Sequence, residues 1–297
     1  MNDKEKKKLN FIELMIFYFF IPMAVSIIIF FILLLAFGQH LFFFHPTHSE
    51  EYYAKLSQNE EFEEIKIESG EMSLGGWLKY DYILGKDLKK PLVISFWGNA
   101  DNTSGTLGNF YENGIMNIFK GYNVISVDFP GYGLSEGTPS DTSMYEMSLA
   151  VYDYAKELDC VDTENIIVLG FSIGNGAATY LASQRKVNGL ILVAPYDNAL
   201  SLYNSRFNIF HGPLKSLTKY KFPSDLYAKE VEVAPLIIAS KSDEIIPYEL
   251  SVNLSKCFEE VYDFVTMENV KHGGFFGENI VREKIKEYLL DKLDENT

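Results

Sequence analysis

The stretch Ile166-Ile167-Val168-Leu169-Gly170-Phe171-Ser172-Ile173-Gly174-Asn175-Gly176-Ala177-Ala178 sets a G-x-S-x-G pentapeptide between two contrasting flanks. Before it stands a short apolar run of the kind that forms a buried strand. After it, small residues open a helical pattern that reaches about Arg185. A serine on a sharp strand-to-helix turn is a nucleophile elbow. Small flanking residues let strand and helix approach closely, so the Ser172 hydroxyl projects above the sheet. The pentapeptide alone is common by chance. Its strand–turn–helix setting gives it weight.

Working outward, the same apolar character recurs at 91–97, 123–128, 189–193, 235–239 and 263–267. Such runs suit strands buried on both faces of a parallel sheet. Residues 62–67 and 74–80 read as early strands of a meander, which brings the number of strand-like runs to eight. Helical patterns separate the later runs at about 141–158, 174–185, 247–259 and 278–292. This alternation predicts an α/β domain over residues 61–297, with one doubly wound sheet and right-handed crossovers. Residues 196–233 break the rhythm and carry Tyr196, Tyr203, Phe207, Phe210, Tyr220 and Phe222. A long aromatic insert at strand carboxyl ends is a candidate lid or pocket wall.

A serine hydroxyl is a poor nucleophile until a base, itself oriented by an acid, accepts its proton. With an elbow in such a sheet the partners follow in the order nucleophile, acid, histidine. Asp243 follows the run 235–239, with Glu244 and Asp197 as competitors. Of the five histidines, His40, His45 and His48 lie near the N-terminus and His211 lies in the insert. Only His272 is in order and in a strand-to-helix loop, so Ser172, Asp243 and His272 are the candidate catalytic residues. The oxyanion formed on attack needs two preorganised N–H donors. These are expected from Ile173, next to the nucleophile, and from Asn99 after the turn at Gly98. Asn102-Thr103-Ser104 also fits a glycosylation acceptor, but a glycan there would obstruct the pocket.

Composition is that of a folded protein, with 47% hydrophobic and 23% charged residues. The net charge of −15 argues against a nucleic-acid partner, and no basic stripe of the nucleic-acid-binding kind is read outside the first ten residues. Cys160 and Cys257 are read as free thiols, with no disulfide framework or Cys-rich metal pattern. Lys4, Lys6, Lys7 and Lys8 precede an apolar run whose only charge is Glu13; residues 14–37 are 24 consecutive uncharged positions. That length spans a hydrocarbon core of ~30 Å. The run predicts a transmembrane signal anchor over 11–38, preceded by a basic N-terminus (1–10) and followed by a linker (39–60), of which 45–60 reads equally as a short amphipathic helix. Lysines before the span put the N-terminus in the cytoplasm and the domain across the cell membrane. The competing reading is cleavage near Ala36-Phe37-Gly38, and a signal-peptide core is shorter than this run. The aromatic stretch 41–44 is open between an interfacial anchor and packing on the domain.

The segments WGNADN (97–102), DFPGYGLSEGTPS (128–140), GFSIGNGAA (170–178), SKSDEIIP (240–247) and KHGG (271–274) together resemble the α/β-hydrolase superfamily. The similarity is to its membrane-anchored bud-emergence-type and serine-aminopeptidase-like branch, over residues 60–292. The resemblance implies the α/β-hydrolase fold, a Ser172–Asp243–His272 triad and a small cap between the sixth and seventh core strands. Two departures stand out: Trp97 replaces the usual histidine before the oxyanion glycine, and Asp101 replaces a glycine. Asn175 stands where a small residue is usual. The expected activity is serine hydrolysis of an ester, thioester or amide, without metal or organic cofactor. The substrate is expected to be a small or acylated molecule, with lipid-derived compounds among the candidates. An aminopeptidase-like peptidase and a catalytically silent, membrane-tethered binding protein are the alternatives.

Overall fold

The computed structural model describes residues 10–81 and 88–294, so the lysine cluster at 4–8 lies outside the described residues. The described residues open with a helix of 33 residues, Phe11–Phe43, long and apolar enough to cross a membrane. It comprises α1 (Phe11–Met15), a π-helical segment (Ile16–Phe20) and α2 (Ile21–Phe43). The π-helical widening falls where the Pro22 ring would otherwise crowd the carbonyl four residues back. Glu13, the lone charge, belongs to a capping box. Its carboxylate accepts from the Asn10 N–H at 2.8 Å, and Asn10 Oδ1 accepts from the Glu13 N–H at 2.9 Å. No side chain of 11–34 is buried by protein; burial begins at Gln39, where the helix meets the domain.

The remaining helices are α3 (Glu50–Ser57), α4 (Thr103–Glu112), α5 (Asp141–Lys156), α6 (Gly174–Gln184), α7 (Ala199–Phe207), α8 (Ser224–Tyr227), α9 (Tyr248–Ser255) and α10 (Asn279–Asp294). They surround an eight-stranded sheet of order β1-β2-β4-β3-β5-β6-β7-β8. Its strands are β1 (Phe62–Ser69), β2 (Met72–Lys79), β3 (Lys90–Phe96), β4 (Asn123–Val127), β5 (Val161–Phe171), β6 (Gly189–Val193), β7 (Leu236–Ser240) and β8 (Asp263–Met267). Only β2 runs against its neighbours; β3 to β8 pair in parallel. The central strands are buried throughout, as continuous Val/Ile/Leu runs require when both sheet faces are covered. All eight expected strands are present.

Helix α4 is absent from the expectation. Its sequence TSGTLGNFYE carries two glycines and two threonines, all poor helix formers. Packing overrides propensity here. A Cβ at Gly108 would meet the Tyr52 ring at 2.4 Å, so glycine lets α3 lie directly on α4. Asn102 caps the helix by accepting from the Gly105 N–H at 2.8 Å. Buried Asp128, at the end of β4, accepts from the Thr103 and Leu134 N–H groups at 2.7 and 2.9 Å. One carboxylate thus ties the start of α4 to the turn at 128–140.

Candidate active site

The elbow is built by close approach. Strand β5 delivers Ser172 in the left-handed region, at φ 56°, before α6 begins. A Cβ on Gly170 would lie 2.7 Å from the Asn175 Cα, and one on Gly174 would lie 2.3 Å from the Phe96 carbonyl oxygen. Both glycines are therefore demanded by packing against backbone. Gly174→Ala is expected to destabilise the protein by about 2–3 kcal/mol through overpacking, read by denaturant unfolding. Wild-type stability in that variant would refute the tight contact with β3.

Asn175, read from sequence as a minor departure, is a fully buried strut. Its Nδ2 donates to the carbonyls of Ser172 and Val193 at 2.8 Å and of Ala194 at 3.3 Å. It fastens the elbow to the end of β6. Asn175→Ala leaves the Ala194 carbonyl without that donor and is expected to cost about 1–3 kcal/mol. Asn175→Asp turns acceptors toward three carbonyls and is expected to cost more. Thermal unfolding of the two variants checks the order.

Three expected side chains meet above the sheet. Ser172 Oγ lies 2.9 Å from His272 Nε2, and His272 Nδ1 lies 2.8 Å from Asp243 Oδ2 and 3.0 Å from Oδ1. Asp243 sits in the loop after β7, and its Oδ1 accepts from the Ile245 and Ile246 N–H groups, both at 2.8 Å. An ionised carboxylate only accepts, so Nδ1 carries the imidazole proton and Nε2 is left to accept from the Ser172 hydroxyl. His272 opens the 3-10 turn His272–Gly277. Its ring stacks on Phe171 at 5.0 Å, with 26° between planes. The Asp243 side chain is 1% exposed and that of His272 14%, so the relay opens to solvent only at the imidazole and beyond.

The competing acids stand elsewhere. Asp197 accepts from the Asn198 N–H and the Ser201 hydroxyl at the start of α7. Glu244 Oε2 accepts from the His272 backbone N–H at 3.2 Å and does not touch the imidazole. His211 lies exposed on the insert, paired with Asn208 Oδ1.

Asn99 and Ile173 line the same cleft as Ser172. Among the described residues, neither backbone N–H has a protein acceptor. The Asn99 carbonyl accepts from the His45 N–H at 3.0 Å and the Tyr132 hydroxyl at 2.9 Å, which holds the Asn99–Ala100 peptide in place. Asp101 Oδ2 accepts from the Gly98 N–H at 3.0 Å. Burial holds the Asp101 carboxyl above its usual range, opposed by that bond and by the nearby His272. Trp97 turns into the core, where its Nε1 donates to Ser126 Oγ at 2.6 Å and its ring meets Phe110 and Phe276 edge-on.

The last residues of α2 and the stretch that follows it, together expected as a linker, form part of the site. Thr47 Oγ1 donates to the Ala100 carbonyl and accepts from Asn102 Nδ2, both at 3.1 Å. Phe42, Phe43 and Phe44 pack on the insert through Tyr203, Tyr220 and Phe222. The open question at 41–44 thus resolves to packing, except for Leu41, which stays exposed. Leu41, Phe42, Phe43, Leu202, Ile245 and Ile246 give the cleft of about 780 Å³ an apolar wall, with Arg206 and Glu244 at its side. No sequence signal distinguishes this strap from an ordinary linker except its four aromatic or aliphatic residues at 41–44.

A family model described as the alpha/beta hydrolase fold matches residues 91–225. The lysophosphatidylserine lipase ABHD12 of Danio rerio is 26% identical over 182 residues, covering 55% of this chain and 46% of the relative. An uncharacterized protein of Mycobacterium tuberculosis is 28% identical over 201 residues, covering 68% of each chain. The chain spans about a third to a half of the length of the first curated relatives it matches. Among solved structures, Est1E from Butyrivibrio proteoclasticus with bound ferulic acid superposes with a TM-score of 0.63. That match covers 77% of this chain and 99% of the other, at 20% identity. Sheet order, elbow and family match agree: the chain has the α/β-hydrolase fold.

Proposed function

We propose that the chain is a membrane-anchored serine hydrolase acting on acyl esters, thioesters or amides. The observation that carries this reading is the hydrogen-bonded line Asp243–His272–Ser172 opening onto an apolar cleft. As the Ser172 oxygen bonds to the substrate carbonyl carbon, its proton passes to His272 Nε2. The carbonyl oxygen becomes an oxyanion, held by the N–H groups of Ile173 and Asn99. His272 then returns the proton to the leaving group, the tetrahedral centre collapses, and an acyl-Ser172 remains. Water, deprotonated by His272, repeats the sequence and releases the acid. Asp243 keeps the imidazole in the required tautomer throughout.

Apolar lining of the cleft supports an acyl substituent, and the name of the ABHD12 relatives points the same way. A single-chain acyl ester of a lipid is therefore the substrate class we favour. The bare helix at 11–34 supports a bilayer span, because an apolar helix that no protein covers needs hydrocarbon around it. The lysines before it support a cytoplasmic N-terminus and an extracytoplasmic domain.

Labelling with a fluorophosphonate tests the chemistry. Stoichiometric modification of Ser172 is expected, and none in the folded protein refutes the hydrolase reading. A panel of acyl esters of rising chain length, set beside aminoacyl amides, is expected to favour the longer esters. Preference for the amides would move the assignment to a peptidase. Protease added to intact cells is expected to digest the domain; digestion only after permeabilisation reverses the orientation.

A further inference from the structure

In a chain of net charge −15, residues 203–222 carry Arg206, Lys215, Lys219 and Lys221 and no acidic residue. Three of these cations have internal partners, Lys219 Nζ lying over the Tyr220 ring at 5.1 Å from its centroid. Arg206 donates to the Glu244 and Ile245 carbonyls, and Lys221 Nζ donates to Thr218. Lys215 and Lys219 have no carboxylate partner among the described residues. Asp141 accepts from the Lys221 backbone N–H. Between and beside the two lysines, Leu214 is 47% and Leu217 42% exposed. Alternating aliphatic and cationic side chains on one exposed turn suit the boundary between headgroups and acyl chains.

The position of this turn is set by the helix. Gln39 Nε2 donates to the Leu217 carbonyl at 2.9 Å, and Gln39 Oε1 accepts from the Lys219 N–H at 2.6 Å. His40 Nδ1 lies 2.8 Å from the Tyr220 hydroxyl, and Phe42 meets exposed Phe207 edge-on at 5.6 Å. Gln39 and His40 follow the apolar run that ends at Phe37, with only Gly38 between. At ~1.5 Å per residue they stand within a few ångströms of the end of the hydrocarbon-length segment. The turn is thereby clamped at the level where the helix leaves the bilayer.

We propose that residues 212–219 dock on the surface of the same bilayer that the helix enters, with Lys215 and Lys219 pairing with anionic lipid headgroups and Leu214 and Leu217 seated among them. This rests on the membrane-anchor reading of α1 and α2. Docking turns the cleft mouth, with exposed Leu41 and half-buried Phe42 on its wall, toward the bilayer surface. An amphiphile resident in the bilayer then reaches Ser172 without crossing water.

The test uses full-length protein, with Cys160 and Cys257 replaced by Ser, reconstituted into vesicles. An environment-sensitive dye is placed at Leu214→Cys, and vesicles of phosphatidylcholine alone are compared with vesicles containing one-third phosphatidylglycerol. Blue-shifted emission and quenching by lipid-borne nitroxide are expected in the anionic vesicles only, and both are expected to vanish in Lys215→Glu/Lys219→Glu. Each lysine near such a surface is worth about fivefold in binding, so the effect also weakens with salt. The double variant should retain fluorophosphonate labelling in detergent and hydrolysis of a water-soluble short ester, while losing turnover of vesicle-borne ester. Equal emission in the two lipids, or a water-exposed dye in both, overturns the proposal alone if the protein still floats with the vesicles. Failure of the wild type to float overturns the anchor reading and this proposal with it. Loss of labelling in detergent would instead strike the hydrolase reading.

Discussion

Ester turnover by the Ser172→Ala protein is expected to fall about 10⁶-fold, the scale found when a triad serine acts as one unit with its base. That is about 8 kcal/mol of transition-state stabilisation. The loss concentrates in kcat because the apolar wall of the cleft, set by Leu41, Phe42 and Ile246, is untouched and still holds the ground state. Removing His272 in the same chain should add little further loss, since without the Oγ atom the imidazole has no proton to take. Fold is preserved in this variant: the backbone N–H of residue 172 still donates to the Val193 carbonyl, and Asn175 still fastens the elbow. The φ of 56° makes a second point. Glycine adopts this region freely, so Ser172→Gly is expected to be about 1 kcal/mol more stable than wild type while equally inactive. Steady-state kinetics and denaturant unfolding read the two effects. Residual turnover of one part in a hundred would identify another nucleophile.

Asp243→Asn is expected to lower kcat about 10⁴-fold without unfolding the loop. The direction follows from the local donors. Oδ1 of Asp243 faces two backbone N–H groups, from Ile245 and Ile246. An asparagine must keep its oxygen there, which forces its NH₂ toward His272 Nδ1. That nitrogen then has to accept, its proton moves to Nε2, and Nε2 now presents a donor to Ser172 Oγ at 2.9 Å. The base has become an acid before the reaction starts. Glu244→Gln tests the assignment from the other side. It removes only a charge facing the His272 backbone and is expected to cost less than tenfold in kcat/KM. If Glu244→Gln proves the more damaging of the two, the acid has been misassigned.

Much of the architecture was readable from hydropathy, because a parallel sheet covered on both faces leaves no polar alternation. The runs at 91–97, 123–128 and 189–193 and their neighbours all became strands. What escaped reading did so for separate physical reasons. Helix α4 contains Gly108, which is poor for an isolated helix and necessary for its contact with Tyr52. Asn175 looks polar and incidental until its three carbonyl partners are assembled by tertiary structure. The strap after α2 has the composition of a spacer, and only partners more than fifty residues away, such as Asn99 and Ala100, give it a role. Lys215 and Lys219 vanish in a whole-chain charge of −15, since a sum conceals where its minority sign is gathered. The site residues were proposed from order along the chain, from position at strand ends and from the family resemblance. The structure brings Ser172, Asp243 and His272 to hydrogen-bonding distance, and kinetics of the variants above will assign their roles.

The clamp between Gln39 or His40 and residues 217–220 joins positions 178 to 180 residues apart, and Ser172 meets its imidazole across another 100. During synthesis at about 5–20 residues per second, tens of seconds separate the emergence of the helix from that of His272. Through most of that interval the rings of Phe42, Phe43 and Phe44 have no insert to cover them, and on the membrane-anchor reading the bilayer interface is the surface at hand to shelter them. On the proposed function, the anchor thus arrives first and the catalytic line closes last. A nascent or truncated chain lacking His272 would then be a tether without a hydrolase, with activity switching on only after the chain has been placed.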